Sequence, residues 1–302
     1  MTDPTNSKRK VLVTGASGFI GLHTVSKLLN AGRQVIATAT YARDSLPSHP
    51  NLVWSIWDST KENLPDVDWH GIDSIVHLIM PATLVKDVSR AKYTFDVVAA
   101  STQHLLDAAA TGSVRRFLLA STGDVLGGRS EPAQETDVSY NPETYYGSSK
   151  ACAELITNAY KPNLSTAILR FYHPYGPGGE KFLISNLVRR IRNGQKVFLQ
   201  GADGIIINPV WIEEMVEGIA SAINSEGTGI FHLGGPDFVS MREVIEQIGD
   251  LLGRQPVIET SDARPNNFYC GDRDRSQKLL NFSPSVGIGA GLEMLVNQSK
   301  LR

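Results

Sequence analysis

The chain has 302 residues, a formal net charge of −2, a hydrophobic content of 41% and a charged content of 20%. This composition is typical of a soluble globular protein with one large domain or two modest ones, and its balanced charge predicts no binding to nucleic acid or to an anionic membrane. Only two cysteines occur, Cys152 and Cys270, which excludes a disulfide framework and predicts a reducing, cytoplasmic environment.

Strands and helices are predicted to alternate over the first 171 residues. Residues 1–9 form a polar tail without a signal-peptide pattern, and no apolar run approaches the roughly 20 residues that span a bilayer. Six apolar runs are predicted strands, in the order "KVLV", "RQVIATAT", "NLVWSIWD", "DSIVHLIM", "RRFLLAST" and "STAILRFY". Helices are predicted after the first strand, near 86–111 and over 146–160. This alternation predicts βαβ units, a parallel sheet and an α/β fold.

Three glycines, Gly15, Gly18 and Gly21, stand between the first strand and the first helix. Glycine is needed where a backbone turns with positive φ and approaches a pyrophosphate closely, and a helix N-terminus offers free N–H groups to phosphates. The alternative is a glycine-rich turn that binds no ligand. The strand–turn–helix context favours dinucleotide binding.

The stretch "ETYYGSSKACAE", residues 143–154, predicts the start of a helix that carries two adjacent tyrosines. At about 100° per residue, positions four apart share a helix face, whereas positions five apart diverge by roughly 140°. Tyr146 therefore shares a face with Lys150, and Tyr145 does not. A phenol beside an ammonium is one arrangement that makes tyrosine an acid–base group. The alternative is an exposed i,i+4 pair without a function.

The pattern becomes less regular after Tyr172. A Gly- and Pro-rich loop, "HPYGPGGEK", precedes a helix, the strand "KVFLQG" and one further helix–strand step, "IEEMVEGIASAI" and "GIFHLGG". We predict a dinucleotide-binding domain over 8–171, to which 205–233 returns. Residues 172–204 and 234–302 are predicted to form a smaller, interleaved substrate domain.

Over nearly its whole length, the chain resembles the extended short-chain dehydrogenases/reductases, the group that contains sugar-nucleotide epimerases and dehydratases. The motifs that carry the resemblance are "TGASGFIG", "HLIMPA", "RRFLLASTGDVLG", "YGSSKACAE", "LRFYHPYGPGG", "NPVWIEE" and "HLGGPDFVS", in this order. The resemblance implies a Rossmann-type, doubly wound parallel sheet with NAD or NADP at the strand ends. It also implies a nucleotide-sugar substrate covered by the C-terminal domain. No metal site is predicted.

The resemblance makes Tyr146 and Lys150 the family's Tyr-x-x-x-Lys pair and puts Thr122 at the position of the catalytic Ser or Thr. To lower the pKa of a tyrosine by about three units, a nearby charge must supply ~4 kcal/mol. A cation at 4 Å supplies this energy only where the effective dielectric constant is near 20. We therefore expect Tyr146 and Lys150 to be shielded from water. The implied cofactor contacts are Gly15, Ser17, Gly18, Phe19, Ile20, Gly21, Thr40, Arg43, Asp58, Ser59, Leu78, Ile79, Met80, Ala120, Tyr146, Lys150, Tyr172 and His173. The implied substrate contacts are Ala82, Thr122, Gly123, Asp124, Tyr146, His173, Asn208 and Arg264.

Two positions bear on the choice of cofactor. NAD-preferring relatives carry an acidic residue at the end of the second strand, where this chain has Ala39, and the nearby Arg43 is suited to a 2′-phosphate. We therefore predict a slight preference for NADP. The alternative is a solvated Arg43, with NAD bound without the acid. Asp58 matches the adenine-contacting Asp of the family, and its alternative is a solvated loop carboxylate.

Other departures from the family bear on the substrate. Gly123 and Asp124 replace the Asp-Glu of dehydratases, so one carboxylate is missing and dehydration is less favoured. Asp124 either contacts substrate or caps a turn. His173 replaces an Asn and is a phosphate ligand, an additional acid or a packed loop residue. Ile207 replaces one of two phosphate-binding arginines, while Arg264 matches the other, which predicts a loss of about 1–3 kcal/mol in phosphate binding.

Three functions are compatible with these residues. The favoured one is a nucleotide-sugar epimerase that acts at C4 through a keto intermediate, with Tyr146 as the acid–base group. The second is an NADPH-dependent ketoreductase of a keto-sugar nucleotide or another carbonyl substrate. The third is a dinucleotide sensor without turnover, which the retention of both Tyr146 and Lys150 disfavours.

Assembly as a homodimer is also predicted. In the family, helices equivalent to 86–111 and 146–160 pair across a two-fold axis as a four-helix bundle, and the alternative is a monomer. The apolar residues that suggest such faces are Val97, Leu105, Leu106, Leu155 and Ile156.

Overall fold

The computed structural model describes residues 9–41, 46–81, 88–262 and 267–298. Three predicted site residues, Arg43, Ala82 and Arg264, lie outside these ranges, as does most of the predicted polar tail. The roles of these three residues stay predictions.

A seven-stranded parallel sheet forms the centre of the fold, which confirms the predicted α/β, Rossmann-type architecture. The strands are β1 (Lys10–Thr14), β2 (Gln34–Ala39), β3 (Leu52–Ile56), β4 (Ile72–His77), β5 (Arg116–Thr122), β6 (Ser165–Phe171), β7 (Val197–Gln200), β8 (Ile206–Ile207), β9 (Gly229–Leu233), β10 (Val239–Ser240), β11 (Ile258–Ser261) and β12 (Phe268–Tyr269). The sheet has the order β3-β2-β1-β4-β5-β6-β9. The order reverses between β1 and β4, where the carboxyl ends of the strands open a crevice for a ligand.

Helices cover both faces of this sheet. The helices of the described ranges, of which α5, α7 and α9 pack in a second core, are α1 (Phe19–Asn30), α2 (Ala91–Phe95), α3 (Ser101–Thr111), α4 (Tyr145–Ala159), α5 (Leu183–Arg192), α6 (Ile212–Asn224), α7 (Met241–Leu252), α8 (Asp274–Leu280) and α9 (Ile288–Gln298). In the described ranges, no helix combines the length and the apolar composition that crossing a bilayer requires.

Side chains that alternate along β1 enter two different apolar layers. Val11 and Val13 pack in the layer that contains Ile219 of α6, whereas Leu12 packs in the layer that contains Leu105 of α3 and Ala153 of α4. Strands that are buried on both faces have nearly continuous apolar sequences, which is why β1, β2, β4, β5 and β6 could be predicted, whereas the edge strand β3 is largely exposed.

The long helix predicted near 86–111 is interrupted where the structure describes it. A 3₁₀ turn at Val88–Arg90 leads into α2, and a π-helical turn at Asp96–Ala100 separates α2 from α3. The hydroxyls of Ser101 and Thr102 each donate at 2.6 Å to a carbonyl of this turn, four residues earlier. Such back-bonding competes with the regular helical ladder and favours the wider turn.

A second apolar core lies in the C-terminal half of the chain. Helices α5, α7 and α9 pack there beside a small sheet of β8, β10 and β12 and a parallel pair of β7 and β11. Strand β9 instead pairs with β6 in the main sheet. This strand lies within 205–233, the segment predicted to return to the first domain, and the domain boundaries themselves stay a prediction.

The apolar residues proposed for a dimer face do not form one surface. Val97, Leu105 and Leu106 are 4%, 0% and 0% exposed, because they lie on the side of their helices that packs against the sheet. These three residues therefore contribute to the core of the subunit and themselves offer no apolar surface to a second copy, while the homodimer itself stays a prediction. Leu155 is 56% exposed, and Ile156 is partly buried.

Candidate active site

The glycine turn between β1 and α1 has a shape that side chains would destroy. Gly15 has φ +67°, and a Cβ there would lie 2.9 Å from the carbonyl carbon of Leu78. A Cβ on Gly21 would lie 2.6 Å from Cα of Ala16. Because Gly15 lacks a side chain, the turn can pass close to the end of β4. Because Gly21 lacks one, α1 can begin close to Ala16.

The N-terminus of α1 follows this turn directly. Gly18 is the N-cap residue, and no side chain caps the helix. The first N–H groups of α1 therefore lack a side-chain partner, and a helix N-terminus attracts negative charge. The glycine turn and this helix end together fit the pyrophosphate of a dinucleotide.

The predicted tyrosine helix is present as α4, which begins at Tyr145. The Thr144 side chain accepts a hydrogen bond of 3.0 Å from the Gly147 backbone N–H and so caps the helix. A Cβ on Gly147 would lie 3.1 Å from the Asp124 carbonyl oxygen, so this glycine lets α4 approach the end of β5. Nζ of Lys150 lies 5.9 Å from the ring centroid of Tyr146, which agrees with the predicted shared face.

The Lys150 ammonium is held by backbone carbonyls. The residue is 2% exposed, and its Nζ donates to the oxygens of Ala120 at 2.6 Å and Ile79 at 3.2 Å. Burial lowers the pKa of Lys150 to about 7, although the Glu154 carboxylate opposes this shift. The lysine therefore joins the carboxyl ends of β4 and β5 and can gain or lose its proton near neutral pH.

Tyr146 does not behave as the expected lysine-activated phenol in this arrangement. Burial raises the pKa of Tyr146 above its usual value, and the Asp124 charge acts in the same direction. The Lys150 ammonium, bound to two carbonyls, does not reverse this shift. The phenol is therefore protonated at neutral pH, and its ionisation needs additional positive charge nearby.

Thr122 ends β5, and its Oγ1 accepts a hydrogen bond of 3.2 Å from the Asp124 backbone N–H. Asp124 therefore stands in a short 3₁₀ turn that Thr122 caps. A Cβ on Gly123 would lie within 2.9 Å of Cζ of Tyr172, so this tyrosine ring leaves no room for a side chain at 123. In this structure the Tyr172 ring thus fills the space that a dehydratase-type acid at position 123 would need.

His173 has φ +47°, a left-handed conformation that few residues other than glycine adopt. Asn and His adopt the left-handed conformation more readily than most residues, so His173 can stand where the family has Asn. His173 Nε2 lies 3.2 Å from the Tyr269 carbonyl oxygen and donates to it. Burial lowers the pKa of His173 although Asp124 opposes the shift, and burial raises the pKa of Asp124 although His173 opposes it.

Several other predicted site residues have partners within the protein. Asn208 is fully buried, and its amide group makes two hydrogen bonds with the Gly271 backbone. Asp58 accepts hydrogen bonds from the Thr60 backbone and hydroxyl, which lower its pKa. The ring of Phe19 packs against Phe182, with centroids 4.9 Å apart. Roles for these residues in ligand binding stay predictions.

The remaining predicted cofactor contacts follow the carboxyl ends of β2, β3 and β4 or belong to the glycine turn and α1. Thr40 and Met80 are exposed, Leu78 and Ser59 are partly buried, and Leu78 donates its backbone N–H to the Thr14 carbonyl. Ser17 and Ile20 belong to the glycine turn and to α1.

The sequence did not reveal a buried charged network beneath α4. Glu154 and Arg170 are both 0% exposed and form an ion pair with an N–O distance of 2.8 Å. An arginine inside the apolar strand "STAILRFY" was the available signal, because a buried guanidinium needs a partner. His77 was also missed. It lies between Thr14 and Ser101, and burial lowers its pKa to about 3.

Comparisons with known proteins agree with this architecture. A sequence profile of the NAD dependent epimerase/dehydratase family matches residues 11–234. UDP-glucuronic acid decarboxylase 4 of Arabidopsis thaliana is 27% identical over 330 aligned residues, which cover 99% of this chain and 71% of that protein. UDP-glucuronate 4-epimerase of Thermodesulfobacterium geofontis is 26% identical over 308 residues, which cover 96% of this chain and 95% of that protein.

A solved structure extends the similarity to three dimensions. MoeE5 in complex with UDP-glucuronic acid and NAD has a TM-score of 0.84 and 26% identity, over 97% of this chain and 99% of that chain. The family profile covers the glycine turn, Thr122, Tyr146 and Lys150. The chain therefore belongs to the NAD dependent epimerase/dehydratase family, a group of enzymes within the extended short-chain dehydrogenases/reductases.

Proposed function

We propose that the protein is a nucleotide-sugar 4-epimerase, which oxidises C4 of a sugar ring and reduces it again from the other side. The observation that carries the proposal is the position of Tyr146 and Lys150 at the carboxyl ends of β4 and β5, beside the glycine turn. Similarity to a UDP-glucuronate 4-epimerase supports a UDP-sugar as the substrate class.

A bound nicotinamide dinucleotide would accept the hydride of C4 and return it. Tyr146 would take the proton of the C4 hydroxyl as the C4–H bond breaks and the carbon–oxygen double bond forms. Thr122 would donate a hydrogen bond to the same oxygen and hold it in place. After the keto sugar presents its other side, C4 would regain the hydride and its oxygen would regain the proton from Tyr146, so the overall reaction gains or loses no electrons.

The raised pKa of Tyr146 decides how this proton transfer must be driven. A protonated phenol cannot accept a proton, so Tyr146 must first ionise. A protonated Lys150 and the positive charge of an oxidised nicotinamide would both favour the phenolate in a site that excludes water. Proton loss from Tyr146 would thus be coupled to cofactor binding.

Ketoreduction is the second candidate, and Ala39 is the observation that favours it. This residue ends β2, is 4% exposed and offers no carboxylate to a ribose hydroxyl. The absence of that acid suits a cofactor with a 2′-phosphate, and a ketoreductase consumes the reduced form, NADPH, as a dissociable co-substrate. Dehydration is less favoured, because the ring of Tyr172 occupies the space that an acid at position 123 would need.

The experiment that separates these candidates begins with purified protein. After denaturation, an epimerase is expected to release a dinucleotide that is visible by absorbance, whereas a reductase releases little. UDP-sugars and their 4-keto forms are then supplied with NAD, NADH, NADP or NADPH, and the products are identified by NMR. A C4 epimer formed without net cofactor change supports the proposal. Stoichiometric NADPH oxidation supports ketoreduction, and loss of carbon dioxide or water contradicts both.

The cofactor preference has its own test. If Arg43 binds a 2′-phosphate, Arg43→Ala should weaken NADP binding by about 1–3 kcal/mol and leave NAD binding nearly unchanged. Calorimetric titration of both dinucleotides measures the difference. Equal losses for the two cofactors, or no loss, would contradict a preference for NADP.

A further inference from the structure

The carboxylate of Glu154, on α4, contacts β5, β6 and the loop that contains Tyr140. Its Oε1 accepts from Ser121 Oγ at 2.5 Å and from Arg170 Nε at 3.0 Å. Its Oε2 accepts from Arg170 Nη2 at 2.8 Å and from the Tyr140 hydroxyl at 3.0 Å. Both oxygens are thus engaged in a site without solvent, as a buried carboxylate requires.

The donors to Glu154 stand next to residues assigned to the chemistry. Ser121 precedes Thr122 in β5, and Arg170 pairs with Ser121 in the register of β5 and β6. Beyond Arg170, β6 leads to His173. The third guanidinium nitrogen of Arg170, Nη1, donates to the Asp137 carbonyl at 2.9 Å. A single carboxylate therefore fixes α4 against β5, against β6 and against the loop that contains Tyr140.

Glu154 also lies one helical turn beyond Lys150 on the same face of α4. Positions four apart on a helix are neighbours, so the carboxylate and the ammonium interact through a medium with little water. The direct partners of the ammonium are neutral carbonyls of Ala120 and Ile79. The titratable groups that face Lys150 are Tyr146 and Glu154 on its own helix and His77 on β4.

We propose that Glu154 is a positioning residue, which holds the Tyr146–Lys150 face of α4 in register with Thr122 and places a negative charge one helical turn from the Lys150 ammonium. The proposal rests on the proposed function where it assigns Lys150 and Tyr146 to catalysis. The effect on Lys150 itself does not depend on which sugar reaction the enzyme performs.

The test measures the titration of Lys150 directly, without substrate. Protein labelled with ¹³C at the lysine ε-carbon is titrated by NMR, and the Lys150 signal is identified by its loss in Lys150→Arg. Burial holds the pKa of Lys150 at about 7 in the native protein, and Glu154 opposes a further decrease. Glu154→Gln removes the negative charge, so the pKa of Lys150 should fall by about 0.5 unit or more.

A matched control separates charge from stability. Glu135 is another buried carboxylate, which accepts hydrogen bonds from the backbone of His232 and Ser276, residues that do not belong to α4. Glu135→Gln removes a comparable buried charge and should leave the Lys150 titration unchanged. If Glu154→Gln and Glu135→Gln shift the pKa of Lys150 equally, the shift reflects a general loosening of the structure, and the proposal is overturned.

A second variant covers the case in which Glu154→Gln does not fold. The double change Glu154→Gln with Arg170→Gln leaves no unpaired buried charge, and replacement of both members of a buried ion pair is better tolerated than loss of one. Glu154 lies one helical turn from Lys150 on α4, so its loss should still lower the pKa of Lys150, but by less than in Glu154→Gln because the positive charge of Arg170 is removed as well. An unchanged Lys150 titration in the folded variants overturns the proposal, even if the protein proves to be an active epimerase. A lowered titration supports it even if the proposed sugar reaction is absent.

Turnover against pH gives a second readout once a substrate is known. If protonated Lys150 is required, activity falls as pH rises through its pKa, and Glu154→Gln should move this decline to lower pH. Glu135→Gln should lower activity, if at all, without moving the decline. If the turnover of Glu154→Gln and that of Glu135→Gln decline at the same pH, the electrostatic part of the proposal is contradicted.

Discussion

The two faces of α4 differ in burial and in the partners of their side chains. The face with Lys150 and Glu154 lies against the sheet, and these residues are 2% and 0% exposed. The other face carries Tyr145 and Leu155, which are 38% and 56% exposed. One helix thus presents a charged, nearly dry surface to the sheet and a partly apolar surface to the outside.

This difference in burial separates the positions of α4 that are suited to catalysis from those that are suited to assembly. On the buried face, the polar groups of Lys150 and Glu154 have partners at defined distances, so their charges act in a medium of low dielectric. On the outer face, the less buried positions 145, 148, 152, 155 and 159 recur at alternating spacings of three and four. That spacing suits the seam between two helices. Changes on the inner face should therefore affect catalysis, and changes on the outer face should affect assembly.

The largest expected effect is on the inner face. Tyr146→Phe removes one hydroxyl with little change of volume and should lower turnover by about 10²–10⁴ while the cofactor still binds, because general acid–base catalysis is worth that factor. Tyr145→Phe is the matched control on the outer face of α4, and it should preserve the proton-transfer step. Single-turnover hydride transfer, followed by nicotinamide absorbance, measures both. Loss of hydride transfer in Tyr145→Phe alone would contradict the assigned register.

Lys150→Met should abolish most turnover and change how stability depends on pH. The pKa of Lys150 is lowered from 10.5 to about 7 in the native protein, so between these values the unfolded state binds more protons. This group therefore makes the wild type more stable as pH rises, by at most about 1.4 kcal/mol per pH unit. The variant lacks this contribution.

Urea unfolding of both proteins from about pH 6 to about pH 9 measures the consequence. The free energy of unfolding of Lys150→Met relative to wild type should be highest at pH 6 and should decrease above pH 7. A constant difference across this range would show that Lys150 titrates as an ordinary lysine.

Thr122→Val should have a smaller effect on turnover, about 10–10³-fold, because Thr122 holds the substrate oxygen without transferring its proton. The change also removes the cap on the Asp124 backbone N–H. Thermal unfolding is therefore measured with turnover, so that lost catalysis is distinguished from lost fold. A reduction as large as that of Tyr146→Phe would give Thr122 a direct part in proton transfer.

The smallest effect on chemistry is expected from the outer face. If two copies pair through α4, Leu155→Lys should convert a dimer into particles of 32.9 kDa, because two buried ammonium groups would face each other. Light scattering at micromolar concentration measures the mass. Ser148→Lys, on the same face, provides a second variant. A wild type that is already monomeric would contradict the predicted homodimer.

Much of the fold could be predicted from the sequence, because its information is local. The buried strands are short apolar runs, and the glycines of the first turn sit at positions where a Cβ would collide with backbone. The shared face of Tyr146 and Lys150 follows from helix geometry alone. The interruption of the long helix could not be predicted as easily, since it depends on the hydroxyls of Ser101 and Thr102 bonding back to carbonyls rather than to solvent.

The sequence by itself determined the six strands up to Phe171, the glycine turn and the shared helix face of Tyr146 and Lys150. Only the tertiary structure decided the electrostatics of the site. In the folded protein, Glu154 is buried in an ion pair with Arg170, and the Lys150 ammonium donates to two backbone carbonyls. The ring of Tyr172 packs directly against Gly123. These contacts join residues far apart in the chain. The pKa of a side chain depends on the water and the charges around it, so a spacing along one helix cannot specify that value.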